Sequence, residues 1–222
     1  MMKFIKGDFI LKKYIIFDFD GTLVDSKDLS IKIINQLAVK YKFEPLSSKK
    51  IEALRKLSIV ERCRQLNFPI YKIPFAALEF LSRYRNSTGQ LALFDGIKEL
   101  LDRLKAHGYE LAIISSNSEA TIKDFLLKNK IDSIGDVICS QNIFGKDQVL
   151  KTFLKKHRLK RSQVLYVGDE LRDIVACKGA NIKIIWVSWG FDAIEATEKH
   201  PPDYVAHRPS DIFKIAKIAL KV

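Results

Sequence analysis

The chain is organised around Tyr14-Ile-Ile-Phe-Asp18-Phe-Asp20-Gly21-Thr-Leu-Val-Asp25, an apolar run that leads into two carboxylates. Its first four residues are aromatic or β-branched and predict a strand that is buried on both faces. Gly21 breaks the run directly after Asp18 and Asp20. Because alternate residues of a strand share a face, the two carboxylates can leave the strand on the same side. The segment therefore predicts a reaction centre at the carboxyl end of a buried strand.

The chain from residue 97 onwards alternates helical patterns with short apolar segments. Helices are predicted over 97–107, 119–129, 147–157, 172–179 and 211–220, and strands over 110–114, 137–139, 164–167, 182–187 and near 204–205. Gly108 follows the first of these helices, as is typical of a helix end. Such alternation predicts a parallel sheet with helices on both faces. We therefore expect an α/β fold with a doubly wound, Rossmann-like parallel sheet.

Residues 26–94 interrupt this alternation because their apolar residues recur at helical spacing. Ser26 is a candidate N-cap for a first helix that ends at Glu44-Pro45. Further helices are predicted over 48–57, 59–66 and 73–84, and no segment shows the alternation of a strand. We therefore expect an all-helical cap at 26–94, inserted into a core formed by 1–25 and 95–222. Residues 1–12 show no clear period and are interpreted as a frayed lead-in or an edge strand.

Length and composition favour a globular protein with a sizeable core. The 222 residues are 47% hydrophobic and 29% charged, which is ordinary for that class. No run approaches the ~20 apolar residues that span a bilayer, and the N-terminus lacks the apolar region of a signal peptide. We therefore expect a cytoplasmic protein with no membrane partner. Cys63, Cys139 and Cys177 lie far apart, in no metal-ligand spacing, and are interpreted as buried free thiols.

The formal charge of +12 is concentrated in the predicted cap. Between Lys27 and Phe94 there are thirteen Lys or Arg against five Asp or Glu. A basic surface attracts anions, which include phosphorylated small molecules and nucleic acid. The alternative is a solvated face on amphipathic helices. The same alternatives hold for Arg55, Lys56, Arg62 and Arg64, which either reach towards a substrate or form such a solvated face.

Polar residues follow three of the predicted strands, where ligands bind in doubly wound sheets. They are Asp18 and Asp20; Ser115, Ser116 and Asn117; and Gly168, Asp169, Glu170 and Asp173, with Lys146 in the loop before the helix at 147. Each element alone is open to interpretation as a turn or a helix cap. Together, however, the carboxylates would need a counter-charge, and their oxygens suit Mg²⁺. The lysine and the serine hydroxyl supply the charge and the hydrogen bond that an anionic phosphoryl group requires.

The same residues resemble, in order, the four motifs of the haloacid dehalogenase-like superfamily. The motifs are Asp18-Phe-Asp20-Gly-Thr-Leu23, Ser115 after an apolar strand, Lys146, and Gly168-Asp169-Glu-Leu-Arg-Asp173. The helical insertion after the first motif, and the segment Ile185-Trp-Val-Ser-Trp-Gly190, are similar to the phosphoglycolate-phosphatase-like branch. The resemblance implies a Mg²⁺-dependent phosphatase that hydrolyses a small, anionic phosphomonoester under a mobile cap.

The resemblance also implies the roles of the two aspartates. Asp18 would be the nucleophile that forms an aspartyl-phosphate. Asp20 would protonate the leaving alkoxide and then act as base for the water that hydrolyses the intermediate. Haloalkanoate dehalogenases resemble this layout but lack an acid at the position of Asp20, because a halide leaving group needs no proton. Dehalogenation is therefore disfavoured.

The remaining motif residues would bind the phosphoryl group and the metal. Ser115 would bind a phosphoryl oxygen, and Lys146 would neutralise charge on both Asp18 and the phosphoryl group. Backbone N–H groups near Gly21 and Ser116, together with Asn117, would complete this phosphoryl cradle. Mg²⁺ would be held by Asp18, the carbonyl of Asp20 and Asp169, with Asp173 acting through a water or from a second layer. For Glu170 the two interpretations are a metal ligand and a solvated helix start, and the latter is preferred.

Residues outside the motifs receive structural interpretations. His107, His157, His200 and His207 are expected at the surface or at helix ends. Trp186 and Trp189 are expected in the core or in support of the metal loop. Asp147 follows Lys146 where phosphatases of this branch often have proline, so a different setting of that loop is an open alternative.

Two rival functions stay open from the sequence. A phosphomutase would use the same site but return the phosphoryl group to a bound sugar. A nucleic-acid-binding protein would use the basic cap as its functional surface. A phosphatase that acts on a nucleic-acid end would combine both features.

Overall fold

The computed structural model describes residues 12–140 and 144–220. Its strands are β1 (Lys13–Phe17), β2 (Val24–Asp25), β3 (Ala92–Leu93), β4 (Tyr109–Ser115), β5 (Ile134–Cys139), β6 (Val164–Gly168), β7 (Lys183–Val187) and β8 (Tyr204–Ala206). Its α-helices are α1 (Lys27–Tyr41), α2 (Ser48–Leu54), α3 (Ile59–Gln65), α4 (Ile73–Arg85), α5 (Ile97–Ala106), α6 (Glu119–Lys128), α7 (Lys146–Lys156), α8 (Leu171–Ala180) and α9 (Pro209–Ala219). Residues 1–11 lie outside the described residues, and with them nearly all of the predicted lead-in.

A parallel sheet forms the centre of the described chain, with strand order β5-β4-β1-β6-β7-β8. Ile15 of β1 is in register with Leu111 on one side and Leu165 on the other, so β1 is an interior strand. The chain moves from β1 to β4 and β5 on one side and returns to β6, β7 and β8 on the other. The order reverses at β1, which places a crevice at its carboxyl end.

The two faces of β1 belong to two separate apolar layers. Ile15 and Phe17 pack in the layer formed with α5, α6 and α9. Tyr14 and Ile16 pack in the opposite layer, with α7 and α8. The two-residue period of a strand therefore serves both layers, which is why the segment is apolar throughout. The predicted α/β fold with helices on both faces of a parallel sheet is confirmed.

Helices α1 to α4 form the cap, which is inserted between β2 and β3. Leu29, Ile33 and Leu37 of α1 pack with Tyr84 of α4 in an apolar layer of their own. The prediction that no strand occurs in 26–94 is wrong at β3, where Val24 pairs with Leu93 in an antiparallel ribbon with β2. Two residues are too short to show alternation. The ribbon holds together the two segments, β2 and β3, through which the chain enters and leaves the cap.

Element boundaries differ from the sequence prediction by a few residues. α1 ends at Tyr41, before Pro45, because Lys42 adopts a left-handed conformation with φ 58°. Ser26 is its N-cap, although its side chain makes no capping hydrogen bond. Lys146, predicted in a loop, is the first residue of α7.

The predicted free thiols are observed, with Cys177 buried and Cys63 and Cys139 half-buried. In the described ranges, no helix combines the length and apolarity that crossing a membrane requires.

Candidate active site

Lys146 lies at the centre of the charged groups that follow β1 and β6. Its Nζ is 2.5 Å from Asp18 Oδ2, 2.6 Å from Asp173 Oδ1 and 3.1 Å from the Tyr166 hydroxyl. The side chain of Lys146 is 2% exposed. Burial opposes its charged form, but the carboxylates of Asp173 and Asp18 outweigh this effect and raise the pKa of Lys146. We call Asp18, Lys146, Tyr166 and Asp173 the rim; its lysine is a fixed cation.

Asp18 is buried directly after β1. Its backbone N–H donates to the carbonyl of Val167 at 2.8 Å, which continues the pairing of β1 with β6. Its Oδ1 accepts a hydrogen bond from the N–H of Phe19 at 2.7 Å, and its Oδ2 faces Lys146. Both carboxylate oxygens are thus held in place, one by backbone and one by a cation.

Asp20 is held by a different set of groups. The Tyr84 hydroxyl, from α4 of the cap, donates to its Oδ1, and Asn117 Nδ2 donates to its Oδ2 at 2.7 Å. Burial raises the pKa of Asp20, while the hydrogen bonds from Tyr84 and Asn117 oppose that shift. Burial and the charge of Asp20 raise the pKa of Tyr84, so the phenol keeps its proton. Asp18 and Asp20 therefore have separate partners, although they leave the same strand.

Asp169 is fixed by the loops that follow β1 and β7. Its Oδ1 accepts from the Thr22 hydroxyl at 2.8 Å and its Oδ2 accepts from the N–H of Phe191 at 2.7 Å. A Cβ added to Gly21 or Gly190 would overlap the Asp169 side chain, and Gly21 also has φ +73°. Glycine is therefore required at both positions by close approach.

The two tryptophans support the same loops. Trp186 Nε1 donates to the carbonyl of Asp169 at 2.7 Å, and Trp189 Nε1 donates to the carbonyl of Thr22 at 3.1 Å. The expectation that they pack in the core or support the metal loop agrees with these contacts. The histidines also follow expectation. His107 and His157 lie at the ends of α5 and α7, and His200 and His207 are exposed.

Three buried carboxylates lie close enough to bind one metal ion. Asp18, Glu170 and Asp173 can each offer an oxygen, and these atoms lie within 4.8 Å of one another. Burial and the charge of Glu170 raise the pKa of Asp169, an unfavourable arrangement that a bound cation would relieve. An all-oxygen donor set of this kind fits Mg²⁺.

Glu170 corrects the sequence interpretation. It is 7% exposed and is the N-cap of α8, so the preferred prediction of a solvated helix start is wrong. Its N–H donates to Asp173 Oδ2 at 3.2 Å, and Arg172 Nε donates to its Oε2 at 2.6 Å. Glu170 is therefore buried beside the other carboxylates, with its side chain bonded to Arg172.

The residues after β4 line the other side of the site. Ser115 is the buried last residue of β4, and its Oγ accepts from the N–H of Asn117 at 3.2 Å. Ser116 Oγ accepts from Arg172 Nη1 at 2.9 Å. The structure therefore brings Ser115, Ser116 and Asn117 to the same edge as the aspartates, as the sequence predicts.

Cap and core meet at a second set of charged residues. Arg55 donates to the carbonyls of Phe191 at 2.9 Å and Gly190 at 3.2 Å, and Arg62 pairs with Asp192. Lys56 pairs with Glu195 at 2.9 Å. We call these contacts between Arg55, Lys56 or Arg62 and residues 190–195 the seam. A solvated face is therefore wrong for Arg55 and Arg62, whereas Arg64 is exposed.

A cavity of about 380 Å³ opens between cap and core beside the rim. It is lined by Ser58, Ile59 and Val60 of the cap and, from the core, by Lys146, Leu171, Arg172 and Val175, among others. Of the rim only Lys146 lines this cavity, and Asp18 and Asp20 are not among its lining residues.

Several residues of the site are missed by sequence reasoning. Tyr84, Tyr166, Arg172 and Asp192 each bond to a predicted site residue or to the seam. Tyr84 occupies an apolar position in the periodic pattern of α4, so the pattern predicts only burial. Thr22, which bonds Asp169, carries a signal that could have found it, since it lies in the first motif.

Comparison with known proteins identifies the family to which the chain belongs. A sequence model described as haloacid dehalogenase-like hydrolase matches residues 15–187. The chain belongs to this family of hydrolases. It is 31% identical over 205 residues to a phosphoglycolate phosphatase of Synechococcus elongatus, covering 90% of this chain and 95% of that protein.

Two more distant matches, one a curated relative and one a solved structure, are consistent with this family. The pyrophosphatase PpaX of Bacillus mycoides is 24% identical, covering 90% of this chain and 95% of the relative. A haloacid dehalogenase-like hydrolase from Streptococcus pneumoniae superimposes with a TM-score of 0.75 at 23% identity, covering 92% and 98% of the two chains, and supports the fold. The prediction of an enzyme of this hydrolase family is confirmed, and its curated relatives are named as phosphatases.

Proposed function

We propose that the protein is a Mg²⁺-dependent phosphatase that hydrolyses a small phosphomonoester through an aspartyl-phosphate on Asp18. The observation that carries the proposal is the rim, where buried Lys146 bridges Asp18 and Asp173. Asp20 is held apart from it by Tyr84 and Asn117. Asp18, which lies beside a fixed cation, suits the role of nucleophile. Asp20, which has a separate set of hydrogen-bond partners, suits the role of proton carrier.

In the first step, a carboxylate oxygen of Asp18 forms a bond to phosphorus while the bond from phosphorus to the leaving oxygen breaks. Asp20 gives its proton to that oxygen, and the alcohol leaves. In the second step, Asp20 takes a proton from water, whose oxygen attacks phosphorus. The bond to Asp18 breaks, which yields inorganic phosphate and the free carboxylate.

The other residues bind the phosphoryl group and balance its charge. Lys146 pairs with Asp18 and would neutralise charge on a phosphoryl oxygen. Ser115, with Asn117 and backbone N–H groups near Gly21 and Ser116, would complete the cradle. Mg²⁺, when bound, would neutralise charge on the phosphoryl group. Its holders would be Asp18, the carbonyl of Asp20, Asp169 and Asp173, to which the geometry adds Glu170.

The substrate class is a small anionic phosphoester. The named relatives act on phosphoglycolate and on pyrophosphate, which are both small and strongly charged. A phosphomutase, a role in nucleic-acid binding and a cytoplasmic location stay predictions.

The test is phosphate release from 4-nitrophenyl phosphate by the purified protein with Mg²⁺. Asp18→Asn is expected to abolish release, because the amide is a poor nucleophile. Asp132→Asn is the matched control, since Asp132 is exposed between α6 and β5, at the opposite edge of the sheet. Phosphate release by Asp18→Asn at the wild-type rate would refute the assignment of Asp18 as the nucleophile. An isomerised sugar phosphate with little free phosphate would indicate a phosphomutase instead.

A further inference from the structure

Tyr84 is a cap residue that reaches the core carboxylate Asp20. It lies in the last turn of α4, two residues before the helix C-cap, and is 0% exposed. Its hydroxyl donates to Asp20 Oδ1, although 64 residues separate the two in the chain. The opposite oxygen of Asp20 is bonded by Asn117, which follows β4 of the core. Cap and core thus each hold one oxygen of the same carboxylate.

The direction of the Tyr84 hydroxyl is set by packing within the cap. Its ring lies among Leu29, Ile33 and Leu37 of α1, and its centroid is 5.9 Å from that of Phe80. A buried ring fixed on several sides has little freedom to turn its hydroxyl elsewhere. The bond to Asp20 therefore depends on where the cap helices sit, whereas the bond from Asn117 does not.

The structure shows the cap seated on the core. The backbone N–H of Ala193 donates to the carbonyl of Arg55 at 2.9 Å, and Arg55 bonds back to the carbonyl of Phe191 at 2.9 Å. If the cap moved away from the core, α4 would carry the Tyr84 hydroxyl from Asp20 while Asn117 stayed. The orientation of Asp20 is thus complete in the seated arrangement.

We propose that Tyr84 is a positioning residue that turns the Asp20 carboxyl towards the leaving-group oxygen when the cap is seated on the core. The inference rests on the proposed function, in which Asp20 protonates that oxygen. It adds a physical link between cap closure and proton donation. An open cap would remove the bond from Tyr84 and leave only the bond from Asn117 to orient the Asp20 carboxyl. The Asp20 proton would then be poorly oriented towards the leaving-group oxygen until the cap encloses the substrate.

The test compares two aryl phosphates whose leaving groups differ in basicity because one carries a 4-nitro substituent. Phenyl phosphate releases a basic phenolate that benefits from protonation, and 4-nitrophenyl phosphate releases a weakly basic anion that hardly does. General acid catalysis contributes ~10²-fold or more. We therefore expect Tyr84→Phe to lower kcat/KM about 10-fold or more for phenyl phosphate and less than about 3-fold for 4-nitrophenyl phosphate.

The parameter kcat/KM is chosen because it reports steps up to the first irreversible one, which is the departure of the phenol. Hydrolysis of the aspartyl-phosphate is common to both substrates and does not enter. Equal losses of kcat/KM on both substrates would show a general structural role and overturn the inference. If wild-type protein with Mg²⁺ releases phosphate from neither substrate, the proposed function itself fails, which is a distinct result.

Tyr109→Phe is the matched control. Tyr109 is 1% exposed at the start of β4, and within the described residues its buried hydroxyl has no hydrogen-bond partner. The substitution removes the same atom from an equally buried tyrosine, so both substrates are expected to retain their wild-type kcat/KM. A loss on phenyl phosphate alone in this control would mean that the leaving-group test does not isolate Tyr84, and would overturn the inference.

A double-mutant cycle with Asp20 gives a second readout. In an Asp20→Asn background the carboxyl that Tyr84 orients is absent. Adding Tyr84→Phe is therefore expected to cause no further loss with phenyl phosphate. A further loss as large as in the wild-type background would show that Tyr84 acts independently of Asp20 and would overturn the inference.

Discussion

Lys146 and Arg55 are both cations that hold the site together, but the Lys146 side chain is 2% exposed and that of Arg55 is 22% exposed. Lys146 bonds to two buried carboxylates and a buried phenol. Arg55 bonds to two backbone carbonyls of a loop at the surface of the core. The rim is therefore shielded from water, whereas Arg55 in the seam is partly exposed to it. Chemistry needs the first property, and a cap that opens and closes needs the second.

Loss of the rim cation is expected to have the largest effect. Lys146→Met keeps most of the side-chain length but leaves Asp18 and Asp173 buried without their cation. Removing one partner of such a buried pair costs about 3–5 kcal/mol of unfolding free energy. Urea denaturation without added metal measures this loss of unfolding free energy. We also expect the variant to release no phosphate.

Lys151→Met is the control for this prediction. Lys151 lies on the same helix α7 and pairs with Asp147 at 2.9 Å, but its side chain is 44% exposed. An exposed pair of this kind contributes about 0–1 kcal/mol. Similar losses of unfolding free energy in the two variants would contradict the view that the rim is desolvated.

The next largest effect is expected where the loop after β7 packs against Asp169. A methyl group on Gly190 would overlap Asp169, so Gly190→Ala must displace that carboxylate or its loop. Overpacking of this kind costs about 1–3 kcal/mol. The apparent affinity for Mg²⁺, measured by calorimetry, should fall with it because Asp169 is a candidate ligand.

Gly89→Ala provides the comparison. A Cβ at Gly89 meets no atom within 4 Å among the described residues. Its unfolding free energy and Mg²⁺ affinity are expected to stay near wild type. Unchanged Mg²⁺ affinity in Gly190→Ala would argue that Asp169 does not hold the metal.

Substitutions in the seam should change how readily the cap separates from the core rather than the rate of the chemical step. Arg55→Gln removes the hydrogen bonds to Phe191 and Gly190, at a cost of about 1–2 kcal/mol in closure. Amide hydrogen exchange in α2 and α3 is therefore expected to accelerate about 5- to 30-fold, while exchange in β1 and β6 stays unchanged. Arg64→Gln, an exposed arginine of the same cap, should leave both unchanged. Accelerated exchange in β1 would mean that the seam stabilises the whole fold.

The rim could be predicted from the sequence because each of its charged residues lies close to the end of a recognisable element. Asp18 follows β1, Lys146 begins α7, and Asp173 lies in the first turn of α8. Parallel strands bring their carboxyl ends to one edge, so positions in the chain translate into neighbours in space. The sequence also predicts the parallel sheet, because strands and helices have distinct periods of apolar residues.

The seam could not be predicted in this way. Arg55 and its partner Phe191 are 136 residues apart, and a solvated arginine and one that bonds a distant carbonyl share the same local pattern. The sequence does not predict the bond from Tyr84 to Asp20, because an apolar position in a helix does not reveal where a hydroxyl points. The sequence predicts a solvated Glu170 because helix starts are usually exposed, whereas in the structure Glu170 is buried and bonded to Arg172.

The smallest effect is expected at Lys56, and it decides what holds the seam. Lys56 pairs with Glu195 at 2.9 Å, but their side chains are 54% and 43% exposed. Water and salt screen such a pair, and many exposed pairs contribute nothing measurable. Lys56→Gln should therefore leave exchange in α2 and α3 within about 2-fold of wild type at low salt, unlike Arg55→Gln. If Lys56→Gln instead accelerates exchange as much as Arg55→Gln, and high salt does the same to wild type, surface charge rather than hydrogen bonding to the loop keeps the cap closed.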